Sequence, residues 1–225
     1  MKSNPQKRVI ELANATSISA ILLRPPRARA CFVFAHGAGA GMTHEFMESV
    51  AAGLDEREVA TLRYQFPYME NGSKRPDSPA IAHAAVRVAV AEAARCCPGL
   101  PLVAGGKSFG GRMTSQAQAL APLPGVRGLA FLGFPLHPAG KPSDARAAHL
   151  RDVRIPMLFV QGTRDKLAEM QLIQALVASL GAMARLHIVP DADHSFHVPA
   201  RARAGRDPLT EILDVMSAWI SAILK

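Results

Sequence analysis

The chain has little of three things that would point directly to a function. Cysteine occurs only at Cys31, Cys96 and Cys97. An odd number with two adjacent members fits neither a disulfide framework nor the spacing of a zinc site, and it points to reduced thiols in a cytoplasmic protein. Aromatic residues are 5% of the composition, too few to interleave with basic side chains as stacking platforms for nucleic-acid bases. Long apolar runs are missing as well. Lys7 and Arg8 are not followed by the uninterrupted apolar stretch of a signal peptide, and no segment reaches the length of a membrane span.

What is abundant is positive charge. The formal net charge is +8 and the pI is near 9.9. The basic residues are dispersed, and the local clusters, Arg24 to Arg29 and Arg201, Arg203 and Arg206, read as lying in loops that contain proline or alanine and glycine. Such a distribution favours solubility and a weak attraction for anionic substrates over a nucleic-acid partner. Nothing in the sequence fixes an oligomeric state.

At 225 residues and 49% hydrophobic, the chain can bury one sizeable core, which predicts a single domain over 1–225. Apolar runs alternate between strand and helix. Arg8–Leu12 and Ser17–Leu23 read as a hairpin, and Cys31–Phe34 as a buried strand. Thr43 is placed to cap a helix over Glu45–Glu58, after which Val59–Tyr64 returns to strand. Ser78 and Pro79 open an alanine-rich helix over Ala80–Cys97, stopped by Pro98-Gly99. Further strands are expected at Leu102–Gly105, Gly128–Leu132, Met157–Gln161 and Leu186–Val189, with helices running to Leu120 and over Ala168–Leu180 and Leu209–Leu224. Pro67–Pro76 and Phe134–Arg154 read as irregular connections. This alternation implies an α/β fold with a mostly parallel sheet and helices on both faces.

One pentapeptide stands at a strand-to-helix junction. Gly106-Lys107-Ser108-Phe109-Gly110 is a G-x-S-x-G string directly behind Leu102-Val103-Ala104-Gly105, the context of a nucleophile elbow. The same letters include Gly-Lys-Ser, as at the end of a phosphate-binding P-loop. That loop needs a further glycine where Pro101 stands, and an apolar strand occupies the place of the flexible cradle.

A serine hydroxyl needs a base, an orienting acid and an oxyanion hole. Asp165 follows the Met157–Gln161 strand, and His194 follows the Leu186–Val189 strand, so the order is Ser, Asp, His with each member behind a strand. His187, inside a strand, and His197 compete with His194 as the base. Asp165 has a second reading as the cap of a helix beginning near Leu167. Asp191 and Asp193 read as turn formers. Behind the Cys31–Phe34 strand, Gly37, Gly39 and Gly41 allow a loop to bend close to a ligand. The N–H groups of Ala38 and Phe109 are the expected oxyanion donors. A dinucleotide fingerprint is the rival there. Its glycine spacing is wrong, and Arg63-Tyr64 stand where an acidic residue should end the next strand.

Taken together, the segments His36 to Gly41, Leu62 to Met69, Gly105 to Arg112, Gly133 to His137 and Gln161 to Asp165 resemble a small bacterial α/β-hydrolase-like family. That family is related to a testis-expressed protein and to the third regulatory subunit of the NSL histone acetyltransferase complex. The resemblance covers nearly the whole chain after about residue 15. It implies an α/β-hydrolase fold in its small, capless form, similar to dienelactone hydrolases and small carboxylesterases, with no large cap domain and no metal or organic cofactor. The segment Arg63-Tyr64-Gln65 departs from the usual pattern, which touches none of the three expected catalytic positions.

The expected function is a serine hydrolase acting on an ester or thioester of a small polar acyl group through Ser108, Asp165 and His194. The alternative is a non-catalytic scaffold that keeps the fold. Arg63, Tyr68, Lys107, Arg112, His137 and Arg164 fall in the motifs around the expected cleft. They either bind an acidic or polar part of the substrate or hold the long loops through salt bridges.

Overall fold

In the computed structural model, which describes residues 3–13, 16–203 and 205–224, an eight-stranded sheet carries the molecule. The strands are β1 (Gln6–Glu11), β2 (Ser17–Leu23), β3 (Ala30–Ala35), β4 (Val59–Tyr64), β5 (Leu102–Lys107), β6 (Val126–Leu132), β7 (Met157–Gly162) and β8 (Ala184–Val189). Their order across the sheet is β1-β2-β4-β3-β5-β6-β7-β8. The β1/β2 and β2/β4 pairs are antiparallel, and every pair from β4 to β8 is parallel. Because parallel strands are covered on both faces, they read as continuous apolar runs. All six residues of β3 and of β7 are buried.

Alternate residues of each strand face opposite sides of the sheet. From β3, Cys31, Val33 and Ala35 enter one core with α3 (Pro79–Cys96), α4 (Phe109–Leu120) and α5 (Met170–Leu180). Phe32 and Phe34 enter the other with α1 (Glu45–Asp55) and α7 (Pro208–Ile223), whose Trp219, Met216 and Ile220 lie against β6 and β7. Each fully buried Phe or Leu contributes about 1.5–3 kcal/mol. The result is the expected α/β-hydrolase fold. Among the described residues, no helix is long and apolar enough to cross a membrane.

Several local expectations need correction. His44, and not Thr43, caps α1, its Nδ1 accepting from Phe46 N at 3.2 Å. α1 also stops at Asp55, and a turn leads into β4. The segment 67–76 contains the short helix α2 (Pro67–Glu70), with Pro67 at its first position. The segment 134–154 contains a 3-10 helix over Ala145–Asp152. α5 begins at Met170, two residues later than expected. Leu167 N donates to Asp165 Oδ1 and Glu169 N donates to His137, so both N–H groups are drawn into loop contacts ahead of the helix. Arg201 and Arg203, expected in a loop, lie in α6 (Ala200–Arg203), a single helical turn before α7.

Candidate active site

Ser108 sits between β5 and α4 with φ of 49° and ψ of −115°, a region that non-glycine residues rarely occupy. The chain can turn this sharply because Gly106 and Gly110, two residues to either side, have no side chains. A Cβ on Gly110 would stand 2.6 Å from the Ala35 carbonyl oxygen, and one on Gly106 would overlap the same oxygen. Close approach of α4 to β3 therefore holds the strained serine with its Oγ above the sheet.

Parallel strands bring their carboxyl ends to one edge, and two other loops meet Ser108 there. His194, behind β8, places Nε2 2.8 Å from Ser108 Oγ. Its Nδ1 lies 2.7 Å from Asp165 Oδ2, behind β7. With the proton on Nδ1 facing the carboxylate, Nε2 offers its lone pair to the hydroxyl. A serine held in this way can pass its proton to the imidazole as it attacks.

The Asp165 side chain is fully buried, so its hydrogen bonds decide its orientation. Oδ2 also accepts from Gln161 Nε2 at 2.5 Å, and Oδ1 accepts from Leu167 N at 2.8 Å. Gln161 Oε1 in turn accepts from Phe134 N at 3.0 Å, tying the carboxylate to the loop behind β6. The two readings of Asp165 are thus not exclusive, since one oxygen fixes the local turn and the other faces the histidine.

The competing residues have other partners. His187 Nε2 is 2.8 Å from Glu211 of α7. His197 is exposed. Its N–H and that of Ser195 both donate to Asp193 Oδ1, the turn contact expected of that aspartate.

The loop behind β3 is held from below. The buried His36 donates from Nδ1 to Gly37 O at 2.8 Å and accepts at Nε2 from Phe66 N at 3.0 Å. Burial pushes this imidazole down to about 4, so it stays neutral near pH 7. Gly39 N donates to Tyr68 Oη at 3.1 Å, and Met42 N to Gln65 Oε1 at 2.8 Å. Arg63 donates from Nη1 to Met42 O at 2.9 Å, with Glu48 3.7 Å away. Among the described residues no acceptor takes the Ala38 N–H, and the Phe109 N–H belongs to a first helical turn that has no intrahelical acceptor.

A cavity of about 330 Å³ opens beside Ser108, lined by Gly37, Ala38, Ala40, His44, Phe46, Met47, Lys107, Leu167, His194 and Ser195. Of the six polar candidates, only Lys107 lines it. Its Nζ donates to His194 O at 2.6 Å and stands 5.4 Å from the Phe196 ring centre. Burial lowers this ammonium to about 8, against the pull of Asp165 and Asp193. Arg63 and Tyr68 brace the glycine loop instead. His137 is buried between Pro138 O, 2.9 Å from its Nδ1, and Glu169 N, which donates to its Nε2 at 3.2 Å. Arg164 borders a separate cavity with Thr163, Asp165, Lys166 and Glu169. Arg112 lies on α4, half-buried, with Arg146 nearby.

Four contributors were not given roles by sequence reasoning. Gln161 and His36 lie inside the motifs already noted, and their signal was a polar residue within or at the end of an apolar strand. Phe46 and Phe196 carried no such signal.

Residues 28–222 match the Alpha/beta hydrolase domain family. The chain belongs to that family. Solved structures with the same hydrolase fold include a dienelactone hydrolase from Anabaena variabilis, 20% identical with a TM-score of 0.79, where 99% of each chain is covered. An α/β serine hydrolase without lid from Xanthomonas campestris is 17% identical with a TM-score of 0.74, covering 99% of this chain and 96% of that one. The esterase domain of a Rhodothermus marinus protein is 16% identical with a TM-score of 0.73, covering 96% and 97%. At these identities the likeness to each structure is one of fold.

Proposed function

We propose that this alpha/beta hydrolase is a serine hydrolase that cleaves an ester or thioester of a small acyl group through a Ser108 acyl-enzyme. Ser108 Oγ attacks the acyl carbon while its proton passes to His194 Nε2. Asp165 holds the imidazole in the required tautomer and stabilises the imidazolium. The Ala38 and Phe109 N–H groups take up the charge that develops on the carbonyl oxygen. Collapse of the tetrahedral intermediate expels the alcohol or thiol, which leaves with the proton from His194. A water molecule, deprotonated by the same histidine, then releases the acid and restores Ser108.

The observation that carries this reading is the unbroken hydrogen-bonded chain Ser108–His194–Asp165 at the mouth of a cavity. Lys107, His44 and Ser195 are the groups available to a polar part of the substrate. Ester chemistry is supported by the similar structures, which include an esterase domain and a dienelactone hydrolase. Within the family we place the chain in the small capless branch related to the testis-expressed and NSL-subunit proteins.

The test is steady-state hydrolysis of short p-nitrophenyl esters. Ser108→Ala and His194→Ala should each lower kcat by at least about a thousandfold with little change in KM, because both remove interactions made in the transition state. Equal turnover by wild type and both variants contradicts the proposal.

A further inference from the structure

Phe196 has φ of 61°, which is costly for a bulky side chain. It stands two residues behind His194, and its ring is buried. Three contacts hold it there. Its N–H donates to Asp193 O at 3.0 Å, Lys107 Nζ lies over one side of the ring, and the Phe46 ring stacks at 5.8 Å with 12° between the planes. Strain of this kind persists only where the surroundings over-determine it, and here they fix the position of an aromatic pair beside the serine.

A second cavity of about 240 Å³ adjoins the pair, lined by Phe196, Leu209, Ile212, Glu45 and Ser49. His44, Phe46 and Ser195 line both this chamber and the one containing Ser108. The two spaces therefore adjoin, with these three residues between them. Phe46 is the largest of the three side chains, and it is only half-buried.

From this arrangement we infer that Phe46, braced by Phe196, is a specificity-determining residue that limits the length of the apolar chain an ester can place beside Ser108. The chamber behind it would hold the continuation of that chain. Leu209 and Ile212 supply an apolar lining, so each added methylene finds a favourable surface once Phe46 is shortened. The inference rests on the serine hydrolase reading.

The experiment uses two series of esters, one lengthening the acyl chain from acetyl through butyryl to octanoyl, the other lengthening the alcohol chain of an acetate. The readout is the ratio of kcat/KM for the longest and shortest members, which cancels any loss of folded protein. Wild type should fall off beyond butyryl or butyl in one series, and that series identifies which side of the ester meets Phe46. Phe46→Ala should raise the ratio there about tenfold. Phe46→Trp should lower the butyryl-to-acetyl ratio in the acyl series, or the butyl-to-methyl ratio in the acetate series, below that of wild type. A wild type that already favours the longest chain, or ratios unmoved by both variants in both series, overturns the inference. Failure of wild type to hydrolyse any member overturns the hydrolase reading itself, a distinct result.

Discussion

Gln161 shows how much a single buried side chain carries. It donates to the oxygen of Asp165 that faces His194 and accepts from the Phe134 N–H, so both ends of one amide are used. Gln161→Leu leaves that N–H without its acceptor and removes one of the three hydrogen bonds that orient the carboxylate, leaving those from Leu167 N and His194. Thermal or denaturant unfolding should show a loss of about 1–3 kcal/mol. On the proposed mechanism, kcat should fall more than KM rises, because the loss acts on the orientation of the base. The order Ser108, Asp165, His194 was legible because each follows an apolar strand run, and parallel strands deliver their ends to one edge. The roles of Arg63, Tyr68, His137 and Arg164 were not. A motif shows that a polar residue lies near a cleft, whereas the direction of its side chain depends on partners such as Met42 O and Glu169 N that lie far from it in sequence.

At the scale of elements, the turn from β5 into α4 is the most constrained part of the fold. Gly110→Ala would place a carbon 2.6 Å from Ala35 O and 2.5 Å from His36 O, both backbone atoms that cannot move aside cheaply. Expression and melting should therefore reveal a loss of more than about 3 kcal/mol or an insoluble protein, outside the ordinary range for one substitution. The buried parallel strands could be read from sequence with boundaries close to those observed, since burial on both faces leaves a continuous apolar run. Helix starts were harder. The α5 start depends on His137 taking the Glu169 N–H from another loop, and the α1 cap depends on which of two neighbouring polar residues turns back to the backbone. Neither is encoded within the helix itself.

For the whole molecule, acid should act early. His36 is held neutral by burial and pushed down to about 4. His149 is lowered to about 4 by burial first and then by Arg112 and His83, and its Nε2 lies 2.8 Å from Ser115 Oγ. Both titrate near 6.5 when the chain is unfolded. The folded state therefore binds fewer protons between these values. The stabilising contribution is complete above about pH 6.5 and is lost as pH falls towards 4, by at most about 3 kcal/mol for each histidine. A protein already at +8 gains further positive charge over the same range, which adds self-repulsion. Unfolding free energy measured from pH 7.5 to 4 should drop steeply below about pH 6, and His36→Gln together with His149→Gln should flatten the drop. An equally steep curve in the double variant assigns the loss to other groups.

The central claim concerns Ser108, and covalent labelling reaches it most directly. A fluorophosphonate probe should modify wild type once, on the peptide containing Ser108, and should leave Ser108→Ala unmodified by intact mass and peptide mapping. A wild-type protein that stays unlabelled, or that is labelled equally in the Ser108→Ala variant, would contradict the account.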